Sequence, residues 1–206
     1  MSSDGHPPTS ADLDRLRRQR HIAEAMATRW TIWCDPTVPS TQAAGAARDV
    51  FELLERLESL WSRFREASDI SRMNASGGRP VVVAPETRTV LELAEHLREM
   101  TQGAFDVAWS TPPPVPRGIE FDPRVPRAWL RDARLRLDLG AIGKGAALDL
   151  MARRLRDEWG LDSVLLEAGG STAFALRPPR DAPGWPVSIS TRTTVHVLWL
   201  RERALS

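Results

Sequence analysis

The stretch LRLDLGAIGKGAALDL, residues 135–150, decides the fold of this chain. Its first three leucines alternate with charged residues, a period of two that predicts a β-strand ending at Gly140. From Ala146 the apolar period becomes helical, and Gly160 predicts where the helix ends. A short apolar run, 163–166, predicts the next strand. The Gly-rich loop of this strand–loop–helix–strand unit therefore opens a helix, where free backbone N–H groups commonly hold anions.

The loop does not match the common phosphate-binding motifs. A Walker A loop has Ser or Thr after its Gly-Lys pair, where this chain has Gly145, and the Rossmann order G-x-G-x-x-G is absent. A loop rich in glycine can also be a simple tight turn. However, Lys144 is the only lysine in a chain whose other strong bases are all arginine, which favours a specific role at this position.

Several motifs give this chain a family resemblance. Residues 137–149 resemble the D-L-G-G-I-A-K-G-Y-A-V-D segment of the FAD:protein FMN transferases, the ApbE family. Further similar segments are SDISRMN at 68–74 (family S-E-I-S-R-L-N), GAFD at 103–106 (G-A-F-D), EAGG at 167–170 (N-x-G-G-D) and AMAT at 25–28 (A-M-G-T). Two positions depart from the pattern, since Ala27 replaces Gly and Ser171 replaces Asp.

The resemblance implies a fold, a reaction and a site. The expected fold is α/β or α+β, with mixed sheets and flanking helices. The expected reaction breaks the pyrophosphate of FAD and transfers FMN to a Ser or Thr hydroxyl of a target protein, with Mg²⁺ as the metal. On the matching positions, the residues facing FAD would be Met26, Phe64, Ala104, Phe105, Asp106, Asp138 and Lys144. The Ala141 carbonyl would help to hold Mg²⁺. No residue is assigned as catalytic.

The later segments of the family pattern, T-S-G, H-x-x-D-P-x-T-G and A-D-A-x-x-T, are absent from this sequence. We therefore expect a disordered tail over 1–21 and an ApbE-like domain over 22–206 that is incomplete at its C-terminus. Three interpretations remain open: a flavin transferase, a flavin-binding module or half of a split enzyme completed by a partner chain, and an inactive truncated relic. An uncovered strand at 194–200 would also favour self-association.

Composition excludes several classes of protein. The 206 residues carry 28 Lys and Arg against 27 Asp and Glu, a net charge of +1 that argues against nucleic-acid binding. A single cysteine, Cys34, precludes a disulfide within the chain, and its apolar neighbours predict a core position. No apolar run has the length of a membrane span, and no signal peptide is evident, so the sequence predicts a cytoplasmic location.

The remaining sequence predicts two long helices and several short strands. The helices run from Ser40 or Thr41 to about Phe64 and over 86–100, and the strands over 28–34, 81–83, 172–176, 186–190 and 194–200. The SDISRMN segment and the proline-rich residues 110–127 are predicted to be loops.

Overall fold

The computed structural model describes Leu16 and residues 19–190 and 194–206. The predicted tail over 1–21 lies mostly outside these residues, although Arg20 and His21 belong to the first described strand. The chain divides into two compact units. Unit 1 contains the described residues up to Leu54 and those from Leu148 onward, and unit 2 contains Glu55–Ala147.

The elements confirm a fold that combines helices with several sheets. The helices are α1 (Ser40–Trp61), α2 (Asp69–Ala75), α3 (Pro85–Met100) and α4 (Gly143–Trp159). The strands are β1 (Arg20–Ala25), β2 (Thr28–Cys34), β3 (Val81–Val82), β4 (Ile119–Phe121), β5 (Arg127–Leu130), β6 (Val164–Ala168), β7 (Thr172–Ala175), β8 (Trp185–Ser190), β9 (Val195–Leu200) and β10 (Arg203–Leu205). None of the helices in the described ranges has the length and apolarity needed to cross a membrane.

Unit 1 is built on a five-stranded antiparallel sheet with the order β1-β2-β6-β7-β10. Ile32 of β2 lies opposite Leu166 of β6, and Cys34 lies opposite Val164. All four side chains are fully buried, as expected for cross-strand pairs on one core face. Burial raises the pKa of the Cys34 thiol to about 11, with a further contribution from Asp35. The thiol therefore stays protonated at neutral pH, as a core residue should.

The opposite face of the sheet packs against the β8–β9 hairpin. Leu165 of β6 and Ala175 of β7 share an apolar cluster with Trp185 of β8 and Leu200 of β9. β9 pairs with β8 alone among the described strands. Its outer residues remain accessible, with Val195, Val197 and Leu198 exposed by 67%, 37% and 41%. This agrees with the expected uncovered strand, whereas self-association remains a prediction.

The sequence did not indicate β1, which forms a hairpin with β2 through Met26 and Ala27. Both residues have positive φ, 51° and 56°. A two-residue turn with two positive φ angles matches the twist of a hairpin but normally selects Gly, Asn or Asp. Ala27 occupies the second of these positions, where the family pattern has Gly. An L-residue with a Cβ is strained in this conformation.

We expect Ala27→Gly to raise the free energy of unfolding by about 1 kcal/mol, because glycine removes the Cβ strain at φ 56°. Urea unfolding followed by circular dichroism measures this change. Ala44→Gly is the matched control, since Ala44 is an exposed residue within α1. There the same substitution should destabilise the protein by about 1 kcal/mol. A loss of stability in Ala27→Gly would contradict the strain argument.

Unit 2 differs from the sequence prediction in two segments. The predicted loop over 110–127 contains β4, which pairs with β5 in a three-stranded sheet of order β3-β5-β4. A strand of three residues is too short to show a period, so only its partner reveals it. The predicted loop SDISRMN is the helix α2, which Ser68 caps by accepting a hydrogen bond from the Ser71 backbone N–H at 3.0 Å.

The polar side chains of α2 fix it to its neighbours in unit 2. Asp69 accepts a hydrogen bond from the Ala84 backbone N–H at 2.8 Å, and Arg72 donates to the Val82 carbonyl at 2.8 Å. Arg72 also forms an ion pair with Asp69. The polar residues of this segment thus anchor a short helix beside β3.

Candidate functional site

The segment 135–139 does not form a β-strand, so the predicted strand ending at Gly140 is wrong. The alternation nevertheless predicted burial correctly, since Leu135, Leu137 and Leu139 are 1–4% exposed while Arg136 is exposed. What differs is the hydrogen-bonding partner. Loop residues and side chains take the place of a neighbouring strand, and a period of two reports only which face is buried.

Asn74 of α2 supplies the main part of this pairing. Its Nδ2 donates to the Leu137 carbonyl at 3.1 Å, and its Oδ1 accepts from the Leu137 N–H at 2.7 Å. A side-chain amide carries one donor side and one acceptor side, so it satisfies both backbone groups of a buried residue. Thr111 Oγ1 accepts from the Arg136 N–H at 3.0 Å in the same way. These contacts fix the register of the segment that carries Asp138.

Asp138 lies where three segments of unit 2 meet. Its backbone N–H donates to the Val107 carbonyl at 2.8 Å. Its Oδ1 accepts from the Gly140 N–H at 2.9 Å, and its Oδ2 lies 3.4 Å from Nε of Arg63. The carboxylate stays 24% exposed, so it is held in place while remaining accessible to a ligand.

Asp106 lies next to this junction, one residue before Val107, and is firmly held. Oδ1 accepts from the Ala108 N–H at 2.7 Å, and Oδ2 accepts from Nη1 of Arg117 at 2.8 Å. Arg117 also donates to the Ala108 carbonyl at 2.7 Å and to the Thr111 carbonyl. The bond from the Asp138 N–H to the Val107 carbonyl therefore places the DLG motif beside the end of the GAFD motif.

Phe64 and Phe105 are the aromatic candidates. Phe64 lies beyond the end of α1, which stops at Trp61 rather than at about Phe64 as predicted. Phe64 is 82% exposed, and the Arg63 guanidinium lies 4.5 Å from the centroid of its ring. Phe105 is half-buried, and its backbone N–H donates to Thr101 Oγ1 at 3.0 Å. The neighbouring Ala104 is exposed.

The start of α4 differs from the prediction. The helix begins at Gly143 rather than near Ala146, so Lys144 lies in its first turn and not in a preceding loop. The Gly143 N–H donates to the Leu139 carbonyl at 2.7 Å, and the Ala146 N–H donates to the Ile142 carbonyl at 3.0 Å. The reason is that glycine lacks the apolar side chain from which a helical period is read, so the sequence places the start too late.

The described residues do not form a metal-binding cluster. No group of three or more His, Cys, Asp or Glu side chains within the described ranges is arranged to hold a metal ion. Asp106 and Asp138 each face an arginine, and the exposed Ala141 contributes only its carbonyl. Met26 belongs to unit 1, and the other seven predicted site residues belong to unit 2.

Comparison with known proteins identifies the family. A sequence model of the ApbE family matches residues 26–206. This chain belongs to the ApbE family. It is similar to the FAD:protein FMN transferase of Vibrio cholerae, with 26% identity over 166 residues that cover 68% of this chain and 49% of the relative. It is 30% identical over 168 residues to that of Treponema pallidum, covering 67% of this chain and 46% of the relative. This ApbE-family chain thus spans about half the length of these curated relatives.

Solved structures share the fold of this ApbE-family chain. The flavin transferase ApbE of Vibrio cholerae has a TM-score of 0.70 at 22% identity, covering 87% of this chain and 66% of that structure. The ApbE protein of Thermotoga maritima has a TM-score of 0.71 at 21% identity, covering 90% and 68%. The Pseudomonas stutzeri flavinyl transferase ApbE, in its apo form, has a TM-score of 0.72 at 22% identity, covering 88% and 65%.

Three residues that organise the site were not singled out as site residues from the sequence. Asn74 pairs with Leu137, Arg117 fixes Asp106, and Arg63 contacts both Asp138 and Phe64. Asn74 did lie in a recognised motif, so its polarity was a usable signal. Nothing in the sequence distinguished Arg63 or Arg117 from the other arginines, because their ion pairs with Asp138 and Asp106 exist only in the folded chain.

Proposed function

We propose that this chain provides the nucleotide-binding residues of a FAD:protein FMN transferase. The observation that carries the proposal is the hydrogen bond from the Asp138 N–H to the Val107 carbonyl, which places the DLG motif beside the residue that follows the GAFD motif. Asp106, Asp138 and Phe64 of unit 2 would then position FAD, together with Ala104, Phe105 and Lys144. A flavin contact of Met26, in unit 1, is proposed from the family resemblance alone. The curated relatives named FAD:protein FMN transferase support this activity, and the chain covers about half of each.

The proposed reaction is transfer of a phosphoryl-linked flavin. The oxygen of a Ser or Thr hydroxyl on a target protein attacks the FMN phosphorus of FAD. The bond from that phosphorus to the bridging oxygen breaks, AMP leaves with the bonding electrons, and the hydroxyl proton passes to solvent. Charge develops on the phosphoryl oxygens, so the site must supply fixed positive charge and alignment. This chain contributes binding and alignment through its aromatic and charged residues.

The Mg²⁺ requirement and the Ser or Thr acceptor are parts of the same proposal. Mg²⁺ characteristically binds through one or two protein ligands together with substrate phosphates, and it would neutralise charge on the pyrophosphate. The Ala141 carbonyl is the donor that this chain would offer. Dependence on the metal is tested by adding EDTA to the transfer assay and restoring Mg²⁺ in excess.

We expect the purified chain to bind FAD, and Asp138→Asn to weaken that binding about tenfold, because the Asp138 carboxylate holds the Arg63 guanidinium in place and can accept a hydrogen bond from a hydroxyl or ring N–H of FAD. Titration followed by flavin fluorescence measures the affinity. Asp132→Asn is the matched control, since Asp132 also pairs with an arginine, Arg134, in unit 2. Equal affinities in both variants would refute the role of Asp138.

Transfer is measured separately from binding. The chain is incubated with FAD, Mg²⁺ and a Thr-containing acceptor peptide, and mass spectrometry detects the added FMN. Transfer by the isolated chain supports the enzyme interpretation. Binding without transfer supports the flavin-binding module, and transfer only after addition of a C-terminal polypeptide supports the split enzyme. Absence of FAD binding at millimolar concentration would overturn the proposed function.

A further inference from the structure

Arg63 connects two of the residues proposed to bind FAD. Its Nε lies 3.4 Å from Oδ2 of Asp138, and its guanidinium carbon lies 4.5 Å from the centroid of the Phe64 ring. A guanidinium over an aromatic face beside a carboxylate gains a cation–π contact and an ion pair at once. The cation is therefore positioned at the site before any ligand arrives.

Arg63 and Arg117, which pair with Asp138 and Asp106, differ in the number of contacts they make within the protein. Arg117 donates to Asp106 and to the carbonyls of Ala108 and Thr111, and its side chain is 24% exposed. Arg63 is 51% exposed, and its ion pair with Asp138 is measured from Nε. Its Nη1 and Nη2 atoms donate no hydrogen bond to the described part of the chain. Arg117 therefore holds the local structure together, whereas the more exposed Arg63 makes fewer contacts within the protein.

We propose that Arg63 binds a phosphate group of the flavin dinucleotide, an inference that rests on the function proposed above. A pyrophosphate entering beside Asp106 and Asp138 brings negative charge toward two carboxylates, which disfavours binding unless a cation lies between them. The guanidinium has five N–H donors in a planar fork, so it can keep Asp138 on one edge while it donates to phosphate oxygens from another.

The arrangement around Phe64 fits a nucleotide half. Phe64 as a whole is 82% exposed although the Arg63 guanidinium lies over its ring, so the residue remains accessible to a planar ligand. Each half of FAD links a planar ring to a phosphate through a sugar or ribityl chain. An aromatic platform next to a positioned cation matches that pairing of groups. Comparing the binding of FMN and of AMP shows which half of FAD lies at Phe64 and Arg63.

The test compares Arg63→Gln, Arg63→Lys and the wild-type chain in binding FAD, FMN, AMP and riboflavin. We expect Arg63→Gln to weaken FAD binding by about 10- to 100-fold, the effect of losing charge-assisted hydrogen bonds to a phosphate. The FAD affinity of Arg63→Lys should lie between those of the wild type and Arg63→Gln, because lysine keeps the charge but lacks the planar set of N–H donors. Riboflavin, which lacks phosphate, should bind equally to wild type and Arg63→Gln. Loss of affinity for FMN or for AMP identifies the half that is bound.

Arg65→Gln is the matched control. Arg65 is 56% exposed and pairs with Glu58 at 3.4 Å, a contact of the same length two residues along the chain. This variant should bind FAD as the wild type does, and thermal unfolding should show that all variants are folded. The FAD affinity of the wild type should also fall more steeply with rising salt than that of Arg63→Gln. The variant has one charge contact fewer for salt to screen.

The outcomes separate this inference from the proposed function. If wild type and Arg63→Gln bind FAD equally, the phosphate role of Arg63 is wrong while the proposed function stands. If Arg63→Gln loses riboflavin as strongly as FMN, the arginine acts by supporting Phe64, and the phosphate role is also wrong. If the wild type binds none of the flavins, the proposed function fails, and this inference fails with it.

Discussion

Replacing Asn74 with alanine is expected to lower the free energy of unfolding by about 2–5 kcal/mol, because the Leu137 N–H and carbonyl both lose their partner. Leu137 is 2% exposed, so water cannot readily replace the amide. For a chain of this size, such a loss lowers Tm by roughly 5–15 °C. Differential scanning calorimetry or circular dichroism measures the change.

The same substitution should also disturb the site. Asp138 follows Leu137 directly, so freeing the segment loosens the carboxylate and weakens FAD binding in the remaining folded protein. Ser71→Ala is the control from the same helix, because its hydroxyl makes a longer contact, 3.3 Å, to the Ser62 carbonyl. That variant should change Tm by only about a degree or two. An Asn74→Ala protein as stable as wild type would contradict the pairing described here.

The second large effect is expected at the turn between β6 and β7. Gly169 has φ +63°, and a Cβ added there would collide with Oγ1 of Thr28. Gly169→Ala therefore combines a left-handed backbone conformation, which costs about 1–2 kcal/mol, with overpacking that costs about 1–3 kcal/mol. We expect a loss of roughly 3 kcal/mol in urea unfolding experiments.

Gly170→Ala separates the two causes of this loss. Gly170 has nearly the same φ, +64°, but no atom lies within 4 Å of its added Cβ. This control should lose only the backbone contribution, about 1–2 kcal/mol. Thr28→Ala combined with Gly169→Ala should recover part of the difference, since it removes the colliding oxygen. Equal losses in Gly169→Ala and Gly170→Ala would show that the collision is relieved at no cost.

The sequence by itself predicted the family, because several short motifs occur in it in the order of the family pattern. GAFD, SDISRMN and the DLGAIGKG segment predicted ApbE membership, and the family match over 26–206 confirms it. The sequence also predicted the fold class. It predicted the end of the helix at Trp159 as well, because Gly160 takes φ +63° after the last helical turn. The contacts of the predicted residues with FAD remain predictions, as do Mg²⁺ and the acceptor hydroxyl.

Only the tertiary structure decided how these segments are paired. The period of two in 135–139 determines which side chains are buried, whereas the choice of a neighbouring strand or of Asn74 depends on what lies beside the segment. β4 likewise exists because β5 lies next to it. Arg63 belongs to the site because its partner Asp138 is folded against it from a distant part of the chain. Local patterns encode burial and helix ends, but the partner of a polar group is set by long-range packing.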